Sequence, residues 1–139
     1  MFRVFLTVAA VLAVLLAAPL RASAETVAYK CNVRGAGEYD WIQPLIFIAH
    51  DRLSGRVVVS DAMILAFNDG QPVEGRLDVD NARRTTFTWK VKVILQASLV
   101  TLNYRGTYIK GSGEFSVLGS IPGETMTRGG VCQVDRLGD

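Results

Sequence analysis

Two cysteines, one near each end of the chain, constrain the fold more than any other feature. Cys31 and Cys132 are 101 positions apart, and the sequence holds no other cysteine. In a chain that leaves the cytoplasm, such a pair is typical of one structural disulfide. The bond would close nearly the whole domain into a loop, so we expect the first and last strands to lie side by side. A reactive or metal-binding thiol pair is less favoured, because the spacing is not C-x-x-C.

The first 24 residues have the features of an export signal. Arg3 is the single charge before an apolar run from Val4 to Ala18, and Ala22-Ser23-Ala24 offers the small residues that a signal peptidase accepts. We expect cleavage before Glu25, which leaves residues 25–139 as a single domain in the periplasm or outside the cell. The alternative, an uncleaved membrane anchor, is disfavoured because the apolar run is shorter than the roughly 20 residues that span a bilayer.

The charge balance excludes one class of partner. The chain has a formal net charge of +2, with 15 Lys and Arg against 13 Asp and Glu. Residues 1–24 contain Arg3 and Arg21 and no acid, so the remaining chain has no net charge. Because non-specific nucleic-acid binding depends on an excess of basic charge, no nucleic-acid partner is expected.

The segment from Thr85 to Val93 gives the clearest secondary-structure signal. Apolar and polar residues alternate through it with a period of two, which predicts a half-buried strand. The two faces are Phe87, Trp89, Val91 and Val93 against Thr86, Thr88, Lys90 and Lys92.

Shorter runs predict strands along the rest of the chain, and no segment shows a long helical period. Hairpin-length gaps between the runs indicate a meander, and the terminal cysteines favour an all-β fold, a small antiparallel barrel of about eight strands. An immunoglobulin-like sandwich is the alternative, although its usual bridge joins interior strands. Met63 to Phe67 fits either a strand or a short helical turn after Asp61. The other predicted strands are Thr26 to Val33, Leu45 to His50, Gly55 to Ser60, Val73 to Val79, Val100 to Ile109, Glu114 to Leu118 and Gly130 to Val134.

Aromatic residues supply the first candidate binding features. Tyr39 and Trp41 fall in the predicted irregular loop from Arg34 to Pro44, where they would grip a ligand or partner at a barrel mouth. Equally, Trp41 would fold over the barrel end as a plug. Four inward aromatics would either fill the barrel or line an apolar pocket, and filling is favoured because a small barrel has little spare interior. These four are Phe87, Trp89, Tyr104 and Tyr108.

His50 is the only histidine and therefore the one candidate general base of its kind. Asp51 is badly placed to orient it, because adjacent residues on a strand point to opposite faces. A more distant carboxylate, Asp61 or Asp80, would be needed. We therefore expect no catalytic site, and a small hydrolase around His50 remains an alternative.

Basic residues supply the last candidate. Arg83 and Arg84 precede Thr86, Thr88, Lys90 and Lys92, and together these predict a basic strand face that binds anions or is simply solvated. Asp78 and Asp80 are expected to share a strand face, yet they lack a calcium-loop pattern. No metal and no cofactor are expected.

Several stretches resemble uncharacterised small exported proteins of alphaproteobacteria, and the resemblance covers most of the chain after residue 24. It implies no activity. A weaker, architectural similarity is to the periplasmic C-type lysozyme inhibitors, through the Tyr-x-Cys start at Tyr29-Lys30-Cys31 and the terminal Cys132; the inhibitors' Ser-Gly loop has no counterpart here. The stretches of the first resemblance are Tyr29-Lys30-Cys31, Trp41-Ile42-Gln43-Pro44, His50-Asp51, Val57-Val58-Val59-Ser60-Asp61, Arg83-Arg84-Thr85-Thr86-Phe87-Thr88-Trp89 and Gly129-Gly130-Val131-Cys132.

The function expected from these observations is an exported, non-catalytic binding domain of the bacterial envelope. It would bind a protein partner or a small ligand at one barrel end through Tyr39, Trp41 and nearby residues. His50, Arg83 and Arg84 are further candidate contacts. The alternatives are a lipocalin-like carrier of a small apolar ligand, a lysozyme-inhibitor-like protein and the small hydrolase. No stable membrane anchor is expected after signal cleavage.

Reduction of the expected disulfide tests this interpretation. Losing a native disulfide from a small domain costs about 2–5 kcal/mol, which corresponds to a fall in melting temperature of roughly 10–25 °C. Thermal unfolding followed by circular dichroism, with and without reductant, measures the fall. A double variant, Cys31→Ala with Cys132→Ala, is the control and should not respond to reductant. An unchanged melting temperature of the unmodified protein in reductant would contradict the disulfide.

Overall fold

Each strand pairs with the next one along the chain, and the last strand pairs with the first. The computed structural model describes residues 25–137, so the expected export signal lies outside the described residues. In this part of the chain the strands form a closed antiparallel barrel, which confirms the predicted meander. The strands are β1 (Thr26–Val33), β2 (Leu45–Asp51), β3 (Val57–Ser60), β4 (Val73–Asp80), β5 (Arg84–Leu95), β6 (Ser98–Ile109), β7 (Glu114–Ile121) and β8 (Glu124–Leu137).

The predicted disulfide is present and joins the two strands that close the barrel. Cys31 on β1 and Cys132 on β8 lie directly opposite each other in the strand register. Cys31 is completely buried, and Cys132 packs against the core. The disulfide therefore joins two directly paired strand residues at the position where the barrel closes.

The ambiguous segment after Asp61 forms a short helix, α1 (Ala62–Phe67). The Asp61 carboxylate accepts a hydrogen bond from the backbone N–H of Ile64 at 2.7 Å, which is the contact of a helix N-cap. Ile64 is the buried residue of this helix. Within residues 25–137, no helix combines the length and the apolar character needed to cross a membrane.

Every strand except β1 has bounds that differ from the sequence prediction, and the differences at the start of β3 and of β8 involve glycine. β3 begins at Val57 rather than Gly55, because Gly55 has a φ of +76° and belongs to the preceding turn. β8 begins at Glu124, six positions before the predicted Gly130. Glycine in a strand weakens the sequence signal, but here it is required: a Cβ at Gly130 would lie 2.0 Å from the carbonyl oxygen of Asn32.

Aromatic rings fill the middle of the barrel. Phe87 and Trp89 are buried, as their alternation predicts, and Tyr29 meets Phe87 edge to face at 5.2 Å between ring centroids. Trp89 stacks on Tyr104 at 5.3 Å. Gly106 leaves room for these rings, because a Cβ there would lie 2.8 Å from Phe115 and 3.1 Å from Trp89.

Thr86 departs from the predicted half-exposed pattern of β5. The alternation predicts an outer-face position for it with Thr88, Lys90 and Lys92, yet it is completely buried. Its hydroxyl lies 3.0 Å from the hydroxyl of Thr107 on β6. Alternation predicts the direction of a side chain but not how far its neighbours bury it. The hydroxyl of this short side chain finds its hydrogen-bond partner within the sheet.

Replacing Gly106 with alanine tests the packing of the barrel interior. The new methyl group meets Phe115 and Trp89 at distances that force the rings to move, so Gly106→Ala should destabilise the protein by about 1–3 kcal/mol. Denaturant unfolding measures the difference. Gly111→Ala is the matched control, since a Cβ there meets no atom within 4 Å. Equal stability of the two variants would contradict a filled interior.

Candidate functional site

The residues predicted to bind a ligand lie at opposite ends of the barrel. We call the end formed by residues 34–44, α1 and the β5–β6 turn the apolar end, and the end formed by residues 52–56, 81–83 and 110–113 the charged end. Tyr39 and Trp41 belong to the apolar end, whereas His50, Arg83 and Arg84 belong to the charged end. The structure therefore holds two candidate sites, one at each end of the barrel.

The loop of residues 34–44 closes the apolar end. Ile42 is completely buried and plugs the barrel, while the neighbouring Trp41 is only half-buried. The hydroxyl of Tyr104 donates to the carbonyl oxygen of Trp41 at 2.6 Å. The side-chain amide of Gln43 donates to the backbone oxygens of Glu38 and Asp40 at 3.0 and 2.8 Å, which fixes the rest of the loop.

An apolar groove of about 340 Å³ lies between this loop, α1 and the ends of β5 and β6. Its size falls within the range of small-molecule and peptide-anchor pockets. The charged residues of its lining are Glu38 and Asp40, both acidic. The principal apolar residues are Trp41, Met63, Phe67, Val93, Leu95 and Leu102.

β5 and β6 extend beyond their neighbours as a two-stranded ribbon. Pairing of β4 with β5 ends at Trp89, and pairing of β7 with β6 ends at Asn103. Exposed Ile94 and Leu99 face each other across the ribbon, at 64% and 68% exposure. The ribbon tip is therefore apolar on its outer face as well as on the face that lines the groove.

The turn at the ribbon tip is built from residues that rarely adopt its conformation. Gln96 and Ala97 have φ values of +49° and +63°, where glycine or asparagine is usual. Each such residue costs about 1–2 kcal/mol. Local strain of this kind is typical of functional segments, and here it coincides with the exposed apolar tip.

The charged end opens into a cavity of about 220 Å³ that reaches the inward-facing side chains of the barrel. His50 is buried at its floor, 5.9 Å from Phe87 between ring centroids in an edge-to-face contact. Tyr29 and Thr85 are buried beside it. The charged residues that line the cavity are Arg52, Asp80, Lys110 and Arg136.

A bulge in β4 directs Asp80 into this cavity. The register of β4 against β5 shifts between Leu77 and Val79, so that Asp80 pairs with the inward-facing Thr85. Asp80 accepts hydrogen bonds from the Thr85 hydroxyl at 3.2 Å and from Lys110 at 2.8 Å. The Lys110 ammonium holds the pKa of this carboxyl below its usual value.

The prediction that Asp78 and Asp80 share a strand face is wrong. Asp78 instead forms an ion pair with Arg105, an exposed residue of β6. The extra residue of the bulge reverses the alternation between the two aspartates, and bulges often re-aim a side chain in this way.

Burial governs the protonation of His50. Removal from water lowers the pKa of its imidazole below 6.5, and the Asp80 carboxylate opposes this shift. Asp51 is turned away, because its carboxylate accepts from the backbone of Leu53 and the hydroxyl of Ser54. Asp61 lies at the apolar end. Within residues 25–137, no carboxylate accepts a hydrogen bond from His50, so the arrangement lacks the orienting acid of a triad.

The two arginines flank the charged end. Arg83 lies in the turn before β5 and Arg84 begins that strand, and both are exposed. The side-chain oxygen of Asn81 accepts from both of their backbone N–H groups, at 2.9 and 3.0 Å.

Sequence reasoning missed the three cations of the cavity, Arg52, Lys110 and Arg136. The alternation that runs from Cys132 through Val134 to Arg136 is the signal that would have placed Arg136 on the inner face. Arg52 and Lys110 lie just beyond strand ends, where alternation no longer predicts direction.

Within residues 25–137, neither end gathers the side chains of a metal centre. In the described part of the chain, no three His, Cys, Asp or Glu side chains converge as metal ligands would. Comparison with protein-family models, with curated proteins and with solved structures gave no match for this chain. The argument for function therefore depends on the two ends themselves.

The protonation of His50 is directly measurable, because this is the only histidine of the chain. Its imidazole should titrate with a pKa below 6.5, since burial outweighs the attraction of Asp80. Between these two pKa values the imidazole is protonated in the unfolded chain and neutral in the folded one. The free energy of unfolding should therefore fall as the pH drops through 6.5 towards the folded pKa. NMR of the ring carbons against pH checks the value. A pKa at or above 6.5 would show that Asp80 dominates.

Proposed function

We propose that this chain is an exported, non-catalytic binding domain that docks a protein partner at its apolar end. The observation that carries the proposal is the apolar groove beside Tyr39, an aromatic residue that is 93% exposed. Exposed aromatic side chains next to an apolar pocket are typical anchors of protein interfaces. The disulfide supports a compartment outside the reducing cytoplasm.

The extent of the apolar surface favours a protein over a small ligand. Leu65 and Phe67 on α1 and Ile94 and Leu99 on the ribbon tip are all exposed outside or at the rim of the groove. A small molecule in the groove would leave most of this surface in water, whereas a protein partner would cover it. Because Glu38 and Asp40 are the charged residues of the lining, the partner segment should combine apolar side chains with Lys or Arg.

The alternative functions have less support from the geometry. A lipocalin-like carrier needs an internal cavity, and two pairs of packed rings lie where that cavity would be: Tyr29 with Phe87, and Trp89 with Tyr104. A hydrolase around His50 needs an orienting acid, and Asp80 is engaged with Lys110 and Thr85 instead. The lysozyme-inhibitor-like alternative depends on barrel architecture alone.

Photo-crosslinking in the producing cells tests the proposed interface. A photoreactive amino acid in place of Tyr39 should give one discrete protein adduct, because this side chain stands in the proposed contact. The same residue in place of Leu53 is the matched control, since Leu53 is an exposed apolar residue at the charged end. Mass spectrometry of the adduct identifies the partner and the segment attached.

A charged substitution in the groove then tests specificity. Phe67→Asp places a carboxylate among apolar and acidic groups, so it should weaken binding of the identified segment by a factor of about ten or more. Leu53→Asp, which makes the same change at the other end, should have no effect. Identical adducts from positions 39 and 53, or full binding by Phe67→Asp, would contradict the proposal.

A further inference from the structure

We infer that the charged end is a second, independent site, which binds a small monocarboxylic acid with a ring or a short branched body. This inference does not depend on the proposed function, because it concerns the opposite end of the barrel. The filled middle of the barrel separates the two ends. The site is assigned from three features of its cavity: its walls, its charges and their relative depth.

The walls of the cavity are mixed in character. Val27, Tyr108 and Val134 present apolar surface to it, and the floor holds the buried polar groups of Tyr29, His50 and Thr85. A volume of about 220 Å³ admits a molecule the size of a small aromatic acid but not a lipid chain. The apolar part of a ligand can therefore contact the walls, and the volume of the cavity limits its length.

The rim of the cavity carries more positive than negative charge. Arg52 and Arg136 share a single carboxylate, that of Glu25, at 3.4 and 2.6 Å. Lys110 pairs with Asp80 at 2.8 Å. Three cations thus face two acids, and one positive charge is left without a carboxylate of its own. A ligand carboxylate would supply the missing negative charge. Arg is well suited to this role, because its guanidinium can form two parallel hydrogen bonds to one carboxylate.

The relative depth of these groups sets the orientation of the ligand. The Arg52, Lys110 and Arg136 side chains keep 40–65% of their surface exposed, whereas the His50 and Tyr29 rings are buried. The carboxylate is therefore expected at the rim and the apolar body inside. A bare phosphate satisfies only the outer part of this arrangement, which makes it the useful comparison ligand.

His50 reports on this cavity without labelling of any other residue. No side chain within residues 25–137 hydrogen-bonds to its ring, so its resonances respond to whatever enters the cavity. A ligand carboxylate at the rim adds a negative charge to the cavity and should therefore raise the pKa of His50, because negative charge favours the imidazolium. The titratable and charged groups that line the same cavity are Tyr29, Arg52, Asp80, Tyr108, Lys110 and Arg136.

Titration with three probes, followed through the His50 ring by NMR, tests the assignment. Sodium benzoate should shift the His50 resonances to saturation. Benzyl alcohol, which lacks the charge, and inorganic phosphate, which lacks the apolar body, should each bind at least tenfold more weakly. No saturable shift with benzoate would overturn the site. Equal binding of phosphate would overturn the ligand class, because the cavity would then be a simple anion site.

Matched variants separate the charges from the cavity. Arg136→Gln and Lys110→Gln should each weaken benzoate binding roughly threefold or more. Lys92→Gln makes the same change of charge on an exposed residue of β5 and should have no effect. Val134→Trp fills the cavity without changing the charge and should abolish binding.

The variants also keep this test distinct from that of the apolar end. The four substituted positions, 92, 110, 134 and 136, are surface-accessible, so each variant should fold. Its melting temperature checks this. Phe67→Asp should bind benzoate normally, because it alters only the apolar end. Equal weakening by Lys92→Gln and Arg136→Gln, or full binding by Val134→Trp, would overturn the inference.

Discussion

Closure of the sheet between β1 and β8 is the constraint on which the rest of the structure depends. A closed barrel leaves no open sheet edge along its body, so every strand there is held on both sides. Eight residue pairs join β1 to β8, and Cys31 and Cys132 are one of those pairs. Because the covalent bond lies within the register itself, it fixes not only that these strands meet but also their alignment.

The closed sheet encloses aromatic rings that separate the two ends of the barrel. Phe87 and Trp89 sit on successive inward positions of β5, and their neighbours Tyr29 and Tyr104 complete the filling. The charged cavity and the apolar groove therefore have no shared space. Their chemistry differs accordingly: the groove offers apolar surface rimmed by carboxylates, and the cavity offers cations above buried polar groups.

The sequence was sufficient for the architecture because alternation and cysteine placement are local signals with one geometric consequence. The candidate sites are harder to predict from the sequence, because they depend on where the alternation of inward and outward residues ends. Asp80 enters the cavity only through a bulge, whose position depends on the pairing of β4 with β5 rather than on either strand alone. Likewise, the loop buries Ile42 completely and also packs the half-buried Trp41 against the core, which the sequence of the loop does not predict. Tyr39 and Trp41 were recognised as loop aromatics, but their partners on α1 and the ribbon were not.

The position of Glu25 would link the charged end to the cleavage that the first 24 residues predict. This residue precedes β1, and its carboxylate holds both Arg52 and Arg136. If the chain is cut before Glu25, as its first residues predict, the cut creates an α-amino group on the very residue that balances the rim. Such a group is largely cationic at neutral pH. The precursor and the processed protein would then differ in the electrostatic potential of the cavity. Cleavage during export would add one more positive charge at the rim.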